Sequence, residues 1–186
     1  MTVTAKAIVV TGLPASGKTR VGQELAVRLG WPFLDKDDVL EALYEEHTVT
    51  TMEERRKLSR SSDDLFQEAA CAQNNVVLVS HWAPVNGTGD TGTPTDWIGA
   101  RFSHLIEMHC ACSVQTATRR FVTRRRHPGH LDSLRSQQDL AKQMQALTGG
   151  YPLGLGVTLS VNTEAPYDAD EVYQEVKAAL GASDQT

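Results

Sequence analysis

An α/β fold, a three-layer sandwich with a five-stranded and mainly parallel sheet between helices, is predicted by three observations. Short apolar runs alternate along the chain with segments whose apolar residues recur at helical spacing. The run Val76-Val77-Leu78-Val79 is continuous and rich in β-branched residues, the pattern of a parallel strand covered on both faces. A glycine-rich loop, Gly12-Leu13-Pro14-Ala15-Ser16-Gly17-Lys18-Thr19, sits between a predicted strand and a predicted helix.

The first strand is Ala7 to Val10. From Thr19 onward, Val21, Leu25, Ala26 and Leu29 share one helical face, and Gly30 stops that helix. Trp31 to Leu34 reads as a second strand ending at Asp35-Lys36-Asp37-Asp38. Asp37 and Asp38 can cap the next helix, which carries Val39, Leu40 and Leu43, and Asp38 is the expected cap. Thr51 to Gln73 is periodic enough for a long helix, closed by Asn74-Asn75. The third strand, Val76 to Val79, runs into Ser80-His81-Trp82.

Asn86 to Pro94 is dense in Gly, Thr and Pro, which predicts an exposed, substrate-facing loop before a short helix around Asp96 to Arg101. Leu105 to Met108 is a fourth strand, Val114 to Arg126 a helix, Pro128-Gly129 a break and Gln137 to Leu147 another helix. Val157 to Val161 is a fifth strand. Tyr167 to Leu180 closes the chain as a helix with Val172, Val176 and Leu180 in register. Strands joined by helices favour right-handed crossovers, and ligands of such sheets bind beyond the carboxyl ends of the strands.

At 186 residues, with 40% hydrophobic and 22% charged residues, the chain has globular proportions, and residues 1–186 are read as one domain. A net charge of -5 excludes the broad basic footprint of a duplex nucleic-acid binder, although Arg119, Arg120, Arg124, Arg125 and Arg126 cluster locally. The three cysteines are odd in number and lack metal-ligand spacing, which reads as free thiols in a reducing cytoplasm. No run of about 20 apolar residues or signal-like N-terminus stands out, so a cytoplasmic protein without membrane contact, monomeric or homodimeric, is expected.

The glycine-rich loop carries the chemistry. Gly12 and Gly17 allow successive backbone N–H groups to aim inward at a phosphate, and the following helix dipole reinforces that anion site. Lys18 can bridge β- and γ-phosphates, and the Thr19 hydroxyl is placed for Mg2+. The expected cofactors are therefore ATP and Mg2+. Asp37 lies 19 positions after Lys18, so one short helix returns Asp35 and Asp37 toward the loop, where a carboxylate can hold magnesium or take a proton from a hydroxyl. Turn and cap roles are the alternative for both. The third strand ends without a Walker-B aspartate, which counts against a motor ATPase.

The segment GLPASGKTRVGQELAVRLGWPFLDKDDVLEAL resembles the opening of shikimate kinases, and the chain is similar to small P-loop kinases of the shikimate, gluconate and adenylate kinase group. Its layout is closer still to AAA-like kinase domains related to chloramphenicol phosphotransferase. The resemblance implies a nucleoside monophosphate kinase-like fold in which Asp35 serves the metal and Asp37 the acceptor hydroxyl. It implies that the Arg-rich segment 119–135 is a lid, with Arg120 on the adenine and Arg124 and Arg126 on phosphate. It also sets VNTEAP, with Thr163 and Pro166, beside the adenine. A solvated helix face is the other reading of the arginines.

His81 and Trp82, at the end of the third strand, are substrate-binding candidates, with an ordinary packed Trp and a satisfied His as the alternative. Two departures weigh against shikimate as substrate. Shikimate kinases have a glycine triplet where this chain reads Ser80-His81-Trp82-Ala83, and a late arginine where it reads Thr148-Gly149-Gly150-Tyr151. The leading expectation is transfer of the γ-phosphate of ATP to a small-molecule hydroxyl, with Lys18, Asp37, Arg124 and Arg126 as catalytic residues. A polynucleotide 5′-hydroxyl kinase and a non-catalytic ATP-binding regulatory module are the alternatives.

Overall fold

Alternation along β1 (Lys6–Thr11) divides the core in two. Ala7 and Val9 face one side of the sheet and Ile8 and Val10 the other, all fully buried. In the computed structural model, which describes residues 5–84 and 92–183, β1 is the central strand. β2 (Phe33–Asp35), β3 (Asn75–Val79), β4 (His104–Ala111) and β5 (Val157–Asn162) complete a sheet of order β2-β3-β1-β4-β5, parallel throughout.

α1 (Lys18–Leu29) and α7 (Ala169–Ser183) cover the face of Ile8 and Val10 through Val21, Leu25, Val172 and Val176. A Cβ at Gly22 would stand 2.7 Å from Val79 Cγ2, so the absence of a side chain there lets α1 lie close on the sheet. The opposite face is covered by α3 (Met52–Cys71), α4 (Ile98–Arg101), α5 (Val114–Thr123) and α6 (Gln137–Leu147), through Phe66, Ile98, Phe102, Phe121 and Met144. Each half of this three-layer core therefore alternates with the other along the same strands.

Several boundaries differ from the sequence reading for local reasons. β2 starts at Phe33, because Pro32 has no N–H to give a ladder, although its carbonyl accepts from Val77 N at 2.9 Å. Helix α2 (Lys36–Glu46) is capped by Asp35, whose carboxylate accepts from Asp37 N at 3.0 Å, and the expected cap Asp38 is an exposed first-turn residue. Helix α5 ends at Thr123, leaving Arg124 to Arg126 on extended chain ahead of Pro128, whose ring disfavours helical backbone just before it. The loop expected at Asn86 to Pro94 lies largely outside the described residues. At its described end Thr93 returns to β3, donating N–H to His81 O at 2.7 Å.

Glu107, in the middle of β4, has no exposed surface and was not singled out by the sequence. It accepts from Thr11 Oγ1 at 2.7 Å and from the backbone N–H groups of Leu153, Gly154 and Leu155 at 2.6, 2.7 and 3.1 Å. One carboxylate thus ties the end of β1, where the glycine-rich loop begins, to the chain after α6. Among the described residues no helix is long and apolar enough to cross a membrane, and all three cysteines are free thiols.

Candidate active site

The glycine-rich loop leaves the carboxyl end of the central strand, where parallel α/β sheets bind their ligands. Gly12 adopts φ 131°, and a Cβ on it would lie 2.5 Å from Cys110 O, so this turn excludes any other residue. Gly17, with φ 95°, is the left-handed residue from which α1 starts. The helix therefore begins at Lys18 with its first N–H groups turned toward the loop. Leu13, Pro14, Ala15 and Ser16 form the tight path between, closed by Ser16 N donating to Leu13 O at 3.1 Å.

The Lys18 ammonium donates to the carbonyls of Gly12 and Leu13 at 3.1 and 2.9 Å, folded over its own loop. Burial pulls it below the ordinary lysine range, and the nearby Asp35 and Asp37 carboxyls oppose that shift. Thr19 Oγ1 donates to Asp35 Oδ2 at 2.7 Å, leaving the hydroxyl lone pairs to face a cation. The Asp35 carboxyl is buried and pushed up to about 6, first by desolvation and then by the charge of Asp37. A hydroxyl and a buried carboxylate side by side fit a hard, oxygen-seeking ion such as Mg2+, whose charge would offset the cost of ionising Asp35 there. Among the described residues no group of three or more His, Cys, Asp or Glu side chains forms a metal cage, so phosphate and water would fill the other positions.

A stability prediction follows. Asp35→Asn keeps the cap, since Asn serves that position as well as Asp, and removes a buried charge. The metal-free variant is expected to melt about 2–4 °C higher, the shift produced by about 1 kcal/mol in a domain of this size, while its nucleotide-induced shift loses its dependence on Mg2+. A calorimetric scan with and without Mg2+ and ATP measures both. A lower melting temperature would show that the carboxylate is needed structurally.

The arginine cluster splits by direction. Arg119 and Arg125 are exposed, whereas Arg120, Arg124 and Arg126 turn inward. Arg120 Nη2 donates to Thr163 O at 2.6 Å, and Thr163 Oγ1 in turn donates to Ser16 O at 2.7 Å, so α5, the end of β5 and the phosphate loop are stitched together. Thr163 is buried against the backbone of the glycine-rich loop, while Pro166 is exposed on the same segment. Arg126 forms an ion pair with Asp37 and lies 3.4 Å from Asp132, which Arg124 approaches at 4.0 Å. The carboxylates of Asp37 and Asp132 thus already neutralise the inward arginines, and residues 126–130 lie against α2. Tyr44 packs between His127 and His130 at 5.3 and 5.2 Å, and a Cβ on Gly129 would meet the Tyr44 ring at 2.6 Å.

Asp37 is half-exposed and faces Arg126. Desolvation acts to raise its carboxyl, but Arg126, with His130 and Arg124 behind it, prevails and holds it below the usual carboxylate range. It is therefore ionised at neutral pH. His81 lies at the carboxyl end of β3, where burial, Lys18 and Lys36 depress its ring to about 4 and keep it neutral, and its Nδ1 is shut off from solvent without a partner. Trp82 corrects the sequence reading. Its side chain has no exposed surface, its Nε1 donates to Val10 O at 2.9 Å and its ring packs on Phe66, so it is a core residue rather than a pocket wall. Lys36 and Asp132 went unremarked in the sequence. Lys36 is buried against Asp63 at 2.6 Å, and Asp132 holds the inward arginines.

Comparison with known proteins agrees with this geometry. Residues 8–148 match the AAA domain family AAA_33, and the chain belongs to that family. A crystal structure of a presumed kinase from Chloroflexus aurantiacus superposes with a TM-score of 0.73 at 25% identity, covering 96% of this chain and 97% of that one. Shikimate kinase from Bacteroides thetaiotaomicron gives 0.59 at 19% identity over 94% and 98%, and a gluconokinase from Sinorhizobium meliloti 1021 gives 0.54 at 18% over 95% and 92%. A curated shikimate kinase from Paracidovorax citrulli is 63% identical over 30 residues, a match that spans 16% of this chain and 16% of that relative. The fold is that of the small P-loop kinases.

Proposed function

We propose that this chain is an ATP-dependent phosphotransferase that moves the γ-phosphate of ATP to a hydroxyl of a small molecule. The observation that carries the reading is the pairing at the head of α1 and α2. Lys18 and Thr19 face Asp35 and Asp37 across the carboxyl end of the sheet, with Arg124 and Arg126 closing from the lid. Backbone N–H groups at the start of α1, Gly17 to Thr19, and the Lys18 ammonium hold the phosphates. Thr19 and Asp35 would hold Mg2+, which would supply charge neutralisation to the phosphates when bound.

In the transfer, the acceptor oxygen bonds to the γ-phosphorus as its proton passes to Asp37 Oδ, and the bond to the bridging oxygen breaks to release ADP. Arg126 exchanges Asp37 for the moving phosphoryl group, freeing the carboxylate to act as base at the moment charge develops. Arg120, fixed on Thr163, is assigned the adenine side of the cleft in this reading, as the resemblance implies.

Incubating the protein with ATP, Mg2+ and a pool of cellular metabolites, followed by mass detection of newly phosphorylated species, tests the proposal. A product formed by the native chain and absent with Lys18→Ala is expected. Nucleotide binding without any phosphorylated product would instead favour a regulatory module.

A further inference from the structure

The turn His127-Pro128-Gly129-His130, which the sequence marks as a break inside the arginine-rich segment, has no part in the chemistry assigned so far. It follows Arg126 directly, and its 3-10 turn, Pro128–His130, is seated on one stripe of α2. Asp37, Glu41 and Glu45 stand four residues apart along that stripe, the repeat of a single helix face. They hold Arg126, His130 and His127 respectively.

These contacts differ in weight. His127 Nε2 lies 3.1 Å from Glu45, but that carboxylate is 75% exposed, so the pair adds little. His130 has no exposed surface, and its Nε2 lies 2.8 Å from Glu41 Oε1. Burial draws the His130 ring down to about 4, so at neutral pH an uncharged imidazole donates its N–H to the carboxylate. Tyr44, itself buried, fills the space between, stacked on the His127 ring and edge-on to His130. Gly129 passes over the Tyr44 ring so closely that a Cβ would stand 2.6 Å from it. The turn is also closed on itself, by Gly129 N donating to His127 Nδ1 at 3.0 Å and Leu131 N to Pro128 O at 2.9 Å.

Arg126 is one peptide unit from this seat, so its Cα stays beside α2 for as long as the turn is docked. Only its long side chain is then free to move. We infer that His130 and Gly129 are positioning residues that anchor the turn on α2 with or without nucleotide, so that Arg126 passes from Asp37 to the γ-phosphoryl group by side-chain motion alone. The role of Arg126 on phosphate rests on the phosphotransferase reading, whereas the anchor stands on the contacts of the turn. A segment that swung free before nucleotide arrived would have to unseat the fully buried His130 and uncover Tyr44 at each cycle.

Amide exchange on the full chain, without nucleotide and then saturated with Mg2+ and ADP, reads the anchor itself. Equal protection of the N–H groups of residues 129–131 in both states is expected. Free exchange without nucleotide, with protection gained on binding, would overturn the inference. Calorimetric titration with ADP and with the non-hydrolysable ATP analogue AMP-PNP, both with Mg2+, reads the placement of Arg126. The native chain is expected to prefer AMP-PNP, and Glu41→Ala and Gly129→Ala to lower that preference by about tenfold, the scale of one charged hydrogen bond. ADP affinity should stay native in both, which reports that they are folded. Glu41→Gln, whose amide oxygen still accepts from His130, should keep the preference. A preference unchanged in Glu41→Ala and Gly129→Ala, or lost equally in Glu41→Gln, would remove the positioning role. A native chain that bound neither nucleotide would sink the phosphotransferase reading instead, and the exchange of residues 129–131 would still decide the anchor.

Discussion

Asp37→Asn is expected to lower phosphoryl transfer by about 10²- to 10⁴-fold, the usual contribution of a positioned general base, with ATP binding retained. An alcohol holds its proton far above neutral pH and needs an acceptor for it as the bond to phosphorus forms. Asp37 is ionised for that role, since Arg126, His130 and Arg124 hold its carboxyl below the usual range. The same contact means that Arg126 is detained by Asp37 until phosphate competes for it. Asn keeps the shape and releases the arginine, so ATP affinity should stay level or tighten while turnover falls. Single-turnover transfer to the acceptor found in the metabolite pool separates the two effects. Native turnover in the variant would reduce Asp37 to a tether for the lid.

The second large effect concerns stability. Glu107→Ala is expected to cost about 3–5 kcal/mol, because it leaves the buried Leu153 N–H and Thr11 hydroxyl, and the part-buried N–H groups of Gly154 and Leu155, without their acceptor. Urea denaturation should show the midpoint moving sharply downward with little change in slope. Nucleotide affinity should weaken as well, since Thr11 immediately precedes the phosphate loop. An unchanged midpoint would mean that the chain after α6 finds other acceptors.

What could be read from the sequence was local. The phosphate loop declares itself because two glycines, a lysine and a threonine must stand at fixed spacing, and the strand before it and helix after it are set by short-range periodicity. The return of Asp35 to the loop, where it meets Thr19, follows from the short length of α1, whereas the sheet order, with β3 between β1 and β2, had no local signal. Residues at strand ends were harder. His81 and Trp82 are adjacent, yet Trp82 is wholly buried in the core, where the carbonyl of Val10 accepts from its indole, while His81 is only partly buried. Which arginines face inward was equally hidden, because α5 stops at Thr123 and the next three residues are extended.

Glu107 left one trace, a single acid inside an otherwise apolar strand. Its partners are mostly backbone N–H groups nearly fifty positions away, which carry no side-chain signature. Asp132 is hidden in the same way, as one acid in a polar turn until the fold brings Arg124 and Arg126 to it. The cap at Asp35 rather than Asp38 reflects a choice the side-chain types alone do not make, since β2 ends at Asp35 and the helix begins on the next residue.

The central claim, that residues 12–19 bind the phosphates of ATP with Lys18 as their cation, is tested most directly by thermal unfolding with and without millimolar ATP and Mg2+. A ligand that binds only the folded chain stabilises it by about 2.7 kcal/mol at a hundredfold excess over its dissociation constant. For a domain of this size that is a rise of about 5–10 °C. The account predicts that rise for the native protein and its near-complete loss in Lys18→Ala. A native melting curve unmoved by ATP and Mg2+ would contradict it.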